Sequence, residues 1–176
     1  HNNTIYTEHG AAVGFGGEPM PGVVLKNNIF VSTHALVDGD YSHARFEGNL
    51  WWSPGKQEPD LGGYKSLAEW AHATGQERLG VRILGLYADP QLLLPTQKLS
   101  DDPHKLAQLT AFRTPRNSPC FAAGVVIPDN GARDFWGTPV PVDQRPSIGA
   151  CQAARAAAGP APKVAFPATS TTRPSR

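Results

Sequence analysis

Apolar and polar positions alternate in short runs over the first third of the chain, and each run is broken by residues that favour turns. In "VVLKNNIF" (23–30) and "ARFEGNLW" (44–51) the alternation is in register: Val23 matches Ala44, Leu25 matches Phe46, and each run reaches a corner at Asn28 or Asn49. Period-two alternation predicts strands. Asparagine is depleted in strand interiors and favoured in turns, so Asn27 and Asn28 mark a corner rather than the middle of an extended segment. The corner recurs in "NTIY" (3–6) and "GNLW" (48–51), and aligning Ile5, Ile29 and Leu50 at steps of 24 and 21 residues sets Tyr6, Phe30 and Trp51 beside them.

Self-similarity at this period is the mark of stacked units, each burying its apolar face against its neighbours. A unit of this size holds about three short strands joined by tight corners. Asn28 and Asn49 are then expected one above the other, their amides hydrogen-bonded along the stack at an inward turn. Tyr6, Phe30 and Trp51 are expected to form an outward ladder, although a shift of one residue in strand phase would exchange Trp51 and Trp52.

A helix is predicted between Ser66 and Gly75. Ser66 and Glu69 have capping-box spacing, Gly75 is placed to end the helix, and Leu67, Trp70, Ala71 and Thr74 share a face with His72 pointing away. Through Leu67 and Trp70 it is expected to cover the aromatic ladder. A second, weaker turn is predicted from Asp102, with Pro103 in the first helical position.

With 176 residues, 40% of them hydrophobic, the chain suits one ordinary domain, and 18 glycines with 17 prolines suit many short strands better than a helical bundle. No apolar run approaches the roughly 20 residues of a transmembrane helix. The chain opens on His1 without a basic-then-apolar leader, which reads as a mature chain or part of a longer one. Residues 1–152 carry 12 basic and 15 acidic side chains, whereas 153–176 carry four basic and none acidic. The mildly acidic body shows no basic stripe with interleaved aromatics, which argues against a nucleic-acid partner. The Ala/Pro/Ser/Thr-rich tail over 153–176 is expected to be disordered. Cys120 and Cys151 have no metal-ligand spacing, and either one bridge or two buried thiols fits them.

The run "HNNTIY…PGVVLKNNIF…FEGNLWW" resembles the last coils of right-handed parallel β-helix proteins, the pectate-lyase-like group that acts on polysaccharides. "SLAEWAHATGQE" followed by "ADP", then "NSPCFAAG" and "RDFWGTPVPVDQRPSIGACQ", resemble the helix, turn and closing stretch that follow the last coil in bacterial members. The resemblance implies an all-β solenoid with coils over 1–65 and a helix, return strand and closing segment over 66–152. It also implies a secreted or cell-surface protein with a polysaccharide partner, and further coils preceding His1.

"VDGDYSHARFEG" (37–48) is the densest polar cluster. Asp38, Asp40 and His43 beside Arg45 are the residue types that calcium-assisted proton abstraction or acid–base glycoside hydrolysis requires. "DGD" is also a common turn, and the matching position one unit earlier offers only Glu18. Of the adjacent Trp51 and Trp52, at least one ring must lie outside the interior; with Arg45 they are the candidate sugar contacts. The six histidines show no H-x-H or H-E-x-x-H spacing, so no metal site is predicted, and calcium is the only cofactor the cluster suggests. Asp89 and Asp134 read as turn and cap residues. Three functions compete: the end of a polysaccharide-binding or polysaccharide-processing protein, a non-catalytic adhesion module, and a small enzyme built on Asp38, Asp40 and His43. The incomplete set of coils favours the first, without catalysis by this chain alone.

Overall fold

The structure, a computed structural model, describes residues 1–95 and 102–152; the predicted tail lies outside them. The described chain is mostly strand with one short helix. Strands β1 (Thr4–Thr7), β2 (Val13–Phe15), β3 (Val23–Lys26), β4 (Ile29–Ser32), β5 (Val37–Gly39), β6 (Ala44–Glu47) and β7 (Leu50–Trp52) follow in order. Helix α1 (Leu67–Thr74) precedes a small antiparallel pair, β8 (Arg78–Leu79) and β9 (Arg82–Ile83), and then β10 (Leu86–Tyr87). β1, β4, β7 and β10 form one parallel sheet in that order, β2 and β5 a second, and β3 and β6 a third. The chain visits the three parallel sheets in turn and returns to each one repeat later. Leu61 extends the second sheet through a parallel bridge to Val37.

Sequence pattern and register agree in the third sheet, where Val23 pairs with Ala44 and Leu25 with Phe46. They differ by one residue in the first. Thr4, not Ile5, is level with Ile29, and Ile5 is level with Phe30 and then Trp51. The asparagines decide this. Asn3 Nδ2 donates to Asn28 Oδ1 at 3.0 Å, and Asn28 Nδ2 donates to Asn49 Oδ1 at 2.9 Å. The same oxygens accept the backbone N–H groups of Asn3 and Asn28, so each amide fixes the level of its neighbour's backbone. The column ends on Glu77, whose Oε1 accepts Asn49 Nδ2 at 2.7 Å.

Asn27 has a different task. Asn27, Asn2 and Gly48 share the left-handed backbone corner, at φ 52°, 56° and 69° respectively, where asparagine and glycine are the least strained residues. The Asn27 amide also clamps the C-terminal return: Nδ2 donates to Val125 O at 2.8 Å and Oδ1 accepts Val125 N–H at 2.7 Å. A Cβ at Gly48 would lie 2.9 Å from Val125 Cγ1, so the clamp requires glycine at that level. Two asparagines stand together because one turns the chain and grips the return, while the other carries the column.

Alternation from the inward Asn28 sends Ile29 outward and Phe30 inward, which corrects the expected outward ladder. Phe30 and Trp51 stack at 4.5 Å within a core drawn from all three parallel sheets, including Leu36, Val37, Ala44 and Phe46. Tyr6 lies instead on the outer face of the first sheet with Ile29, Val31, Leu50 and Trp52. Helix α1 has the predicted ends: Ser66 Oγ accepts Glu69 N–H at 3.1 Å, and Gly75 adopts φ 76°. Its role differs from the expectation. Trp70 plugs the end of the interior, 5.4 Å from both Phe46 and Trp51, rather than covering outward rings. The outer face of the sheet is covered by the chain's return, through Cys120, Ala123 and Ile148. The turn predicted from Asp102 opens a 3-10 helix, Pro103–Gln108, with Asp102 Oδ1 accepting His104 N–H.

Asn28→Leu should lower stability by about 1–3 kcal/mol, because it orphans Asn3 and Asn49 donors or acceptors inside the column. Melting temperatures unchanged in both Asn28→Leu and Asn49→Leu would contradict the column.

Candidate functional site

The outer face of the first sheet is not fully covered by the return. Between them lies an open groove of about 240 Å³ lined by Tyr6, Val31, Trp52 and Pro54 on the sheet side and by Asp89, Pro90, Gln91, Leu92 and Leu94 opposite. Successive strands place Tyr6, Val31 and Trp52 side by side, since Tyr6 is level with Val31 and Val31 with Trp52. The opposite wall is held rigidly. Asp89 Oδ1 accepts Gln91 N–H at 2.8 Å, Ser118 Oγ donates to Pro90 O at 2.7 Å, and Leu93 exchanges backbone hydrogen bonds with Phe112 and Arg113. Asp89 is thus the turn residue that its sequence suggested, and it is also a wall of the groove.

Trp52 is half-buried, with its ring 5.5 Å from that of Tyr87. The Tyr6 ring lies 6.2 Å from Phe112, and its hydroxyl donates to Glu8 Oε1 at 3.1 Å. Burial of the ring, with a smaller contribution from Glu8, holds the Tyr6 hydroxyl above the usual tyrosine range, so it remains a protonated donor near neutrality. Two aromatic faces beside a carboxylate and a side-chain amide are what a saccharide contact needs: a flat apolar surface for one face of a ring and polar groups for its edge.

Of the residues the sequence put forward, Trp52 reaches this groove and Trp51 does not. Trp51 is fully buried in the interior and its Nε1 donates to Glu77, which rules it out as a sugar platform. Arg45 is exposed but ion-paired with Glu47, which also holds Lys26 at 2.6 Å, on a different sheet from the groove. Asp38, Asp40 and His43 are exposed at the far edge of β5. Asp40 Oδ1 accepts Ser42 N–H at 3.0 Å, and its hydrogen bonds with Ser42, helped by nearby His43, hold its carboxyl below the usual range. A general base or acid for glycoside chemistry is tuned the other way, toward neutrality. Asp40 and Glu18, from successive repeats, do line one crevice, but its volume of about 30 Å³ has no room for a sugar ring. Among the described residues no group of three or more His, Cys, Asp or Glu side chains could hold a metal ion.

Cys120 and Cys151 are both free and buried, and burial pushes the Cys120 thiol up to about 11, which makes it a poor nucleophile. Asp134 organises the closing loop: Oδ1 accepts the N–H groups of Trp136 and Thr138, and Oδ2 accepts that of Gln152. No helix among the described residues is long and apolar enough to cross a membrane.

The groove could not be found by spacing, because its walls come from residues 6, 31, 52 and 89–94, brought together only by the stacking and the return. Comparison with family models, curated proteins and solved structures gave no match.

Proposed function

We propose that this chain is the end section of an exported right-handed parallel β-helix protein, that it binds polysaccharide through the Tyr6–Trp52 groove, and that it does not cleave polysaccharide by itself. The repeated visits to three parallel sheets support the β-helix reading, as does the asparagine column. At the other end of the stack, Ile5 occupies the level of the fully buried Phe30 and Trp51 yet is 37% exposed, and β1 is the edge of its sheet. This supports a further coil packing on that end.

The observation that carries the binding reading is the half-buried Trp52 and Tyr6, flanking Val31 on one wall, across a preformed groove from Asp89 and Gln91. The absence of catalysis rests on Asp38, Asp40 and His43, which face solvent with Asp40 committed to its turn. Affinity electrophoresis through gels containing a panel of soluble polysaccharides tests the binding. At least one polymer should retard the wild-type chain, and Trp52→Ala should weaken that retardation about tenfold or more, as expected for removal of a central aromatic anchor. Migration unaffected by every polymer would end the binding reading. Ultraviolet and reducing-end assays on pectate and alginate, with and without calcium, should detect no turnover; turnover lost in Asp38→Asn or Asp40→Asn would revive an active site at the 37–48 cluster.

A further inference from the structure

We propose that the groove selects saccharides carrying free amino groups, such as polymers of glucosamine, over neutral and uronic-acid polymers. This inference rests on the saccharide-binding reading above. Among the described residues the one charged side chain lining the groove is Asp89, which is exposed and takes one hydrogen bond, from Gln91 N–H, leaving acceptor capacity for a ligand. At the rim Glu8 meets the groove through the Tyr6 hydroxyl, and its backbone carbonyl is held by Thr33 Oγ1. Among the described residues no salt bridge joins Asp89 or Glu8 to a cation.

The nearby lysine, Lys56, is turned aside: its Nζ donates to His34 O at 3.3 Å. Arg113, behind the far wall, lies over the Trp136 ring, 4.8 Å from its centroid.

An anionic uronate would bring a third carboxylate to a site whose described lining offers no cation to balance it. A ring bearing an ammonium group meets Asp89 at its edge and the electron-rich faces of Trp52 and Tyr6 on its flank, the two contacts that favour a cation. The acidic body, 15 acidic against 12 basic side chains over residues 1–152, adds long-range attraction for a cationic polymer. A neutral sugar keeps the stacking and loses the charge.

Calorimetric titration at mildly acidic pH, where the amine is protonated, separates these ligands. Glucosamine oligomers should bind the wild-type chain about tenfold more tightly than N-acetylglucosamine oligomers of equal length, a preference that shrinks with added salt. Galacturonate oligomers should bind most weakly. Asp89→Asn, an exposed change whose fold is checked by circular dichroism, should bring the two amino-sugar series to within about twofold of each other, the loss falling mainly on the amine series. Equal wild-type affinity for the amine and N-acetyl series, or tighter binding of galacturonate, would overturn the selectivity and leave saccharide binding standing. Failure of all three series to bind while another polymer still retards the chain in gels would remove the selectivity alone, and failure of every polymer in both experiments would remove the saccharide reading with it.

Discussion

Glu77→Leu is expected to lower the free energy of unfolding by about 3–5 kcal/mol at pH 5, measured by urea denaturation. Glu77 is fully buried, and its carboxyl oxygens accept Asn49 N–H at 3.2–3.3 Å, Asn49 Nδ2 at 2.7 Å and Trp51 Nε1 at 3.0 Å. Leucine fills similar space and accepts nothing, so buried donors at the end of the asparagine column lose their partner. Each such loss costs about 1–3 kcal/mol, and they are not fully additive. The amides of Asn3, Asn28 and Asn49 all donate in the same direction, toward Glu77. Their aligned dipoles present positive ends to a carboxyl that, among the described residues, forms no salt bridge.

The same group gives the variant a pH dependence. Burial raises the Glu77 pKa to about 7 against the opposing hydrogen bonds from Asn49 and Trp51. Between the ordinary glutamate value and about 7 the folded protein therefore holds a proton that the unfolded chain has released. This contribution to stability is full below the unfolded pKa and falls as pH rises through about 7, by up to about 3 kcal/mol. Leucine does not titrate, so the cost of Glu77→Leu should be smaller at pH 8 than at pH 5. A cost that is constant or grows with pH would contradict the placement of an uncompensated carboxyl in the core.

Trp70→Ala should cost about 3–5 kcal/mol, the range for truncating a large buried aromatic. Trp70 is fully buried and closes the end of the stack. Its ring meets Phe46 and Trp51 at 5.4 Å and Tyr41 at 5.9 Å, and its Nε1 donates to Tyr41 Oη at 3.1 Å. Alanine leaves the open end of an aromatic core facing water, so binding of a hydrophobic dye should accompany the lower melting temperature. Leu67→Ala, on the same helix but half-buried, should cost less. Equal effects from the two changes would mean that α1 lies on the surface and does not plug the interior.

What was legible in the chain followed from local chemistry with a period. The alternation of Val23, Leu25, Ala44 and Phe46 gave the register of the third sheet, and Asn28 and Asn49 gave the column. Ser66, Glu69 and Gly75 marked the helix ends. Aligning the apolar residues misplaced β1 by one, because the asparagine amides, and not the aliphatic side chains, lock backbone levels together. Thr4 therefore takes the outward position that Ile29 holds one repeat later, where its Oγ1 accepts Ala150 N–H from the return. Glu77, in the charged stretch "GQERLG", has the composition of a surface turn, and only the stack above it reveals that it ends the column. Trp52 was visible as an aromatic outside the interior, but its partners Asp89 and Gln91 belong to a segment whose placement depends on the whole return.

Tryptophan fluorescence tests the proposed binding groove most directly, because Trp51 and Trp70 are fully buried and Trp136 lies under Arg113 away from the groove lining, while Trp52 lies half-buried in the groove wall. Titrating wild type and Trp52→Phe with a polysaccharide that retards the chain in gels should give a saturable blue shift in the wild-type emission and none in the variant. A wild-type spectrum unchanged at saturating polymer, or the same shift in Trp52→Phe, would contradict binding at the Tyr6–Trp52 groove.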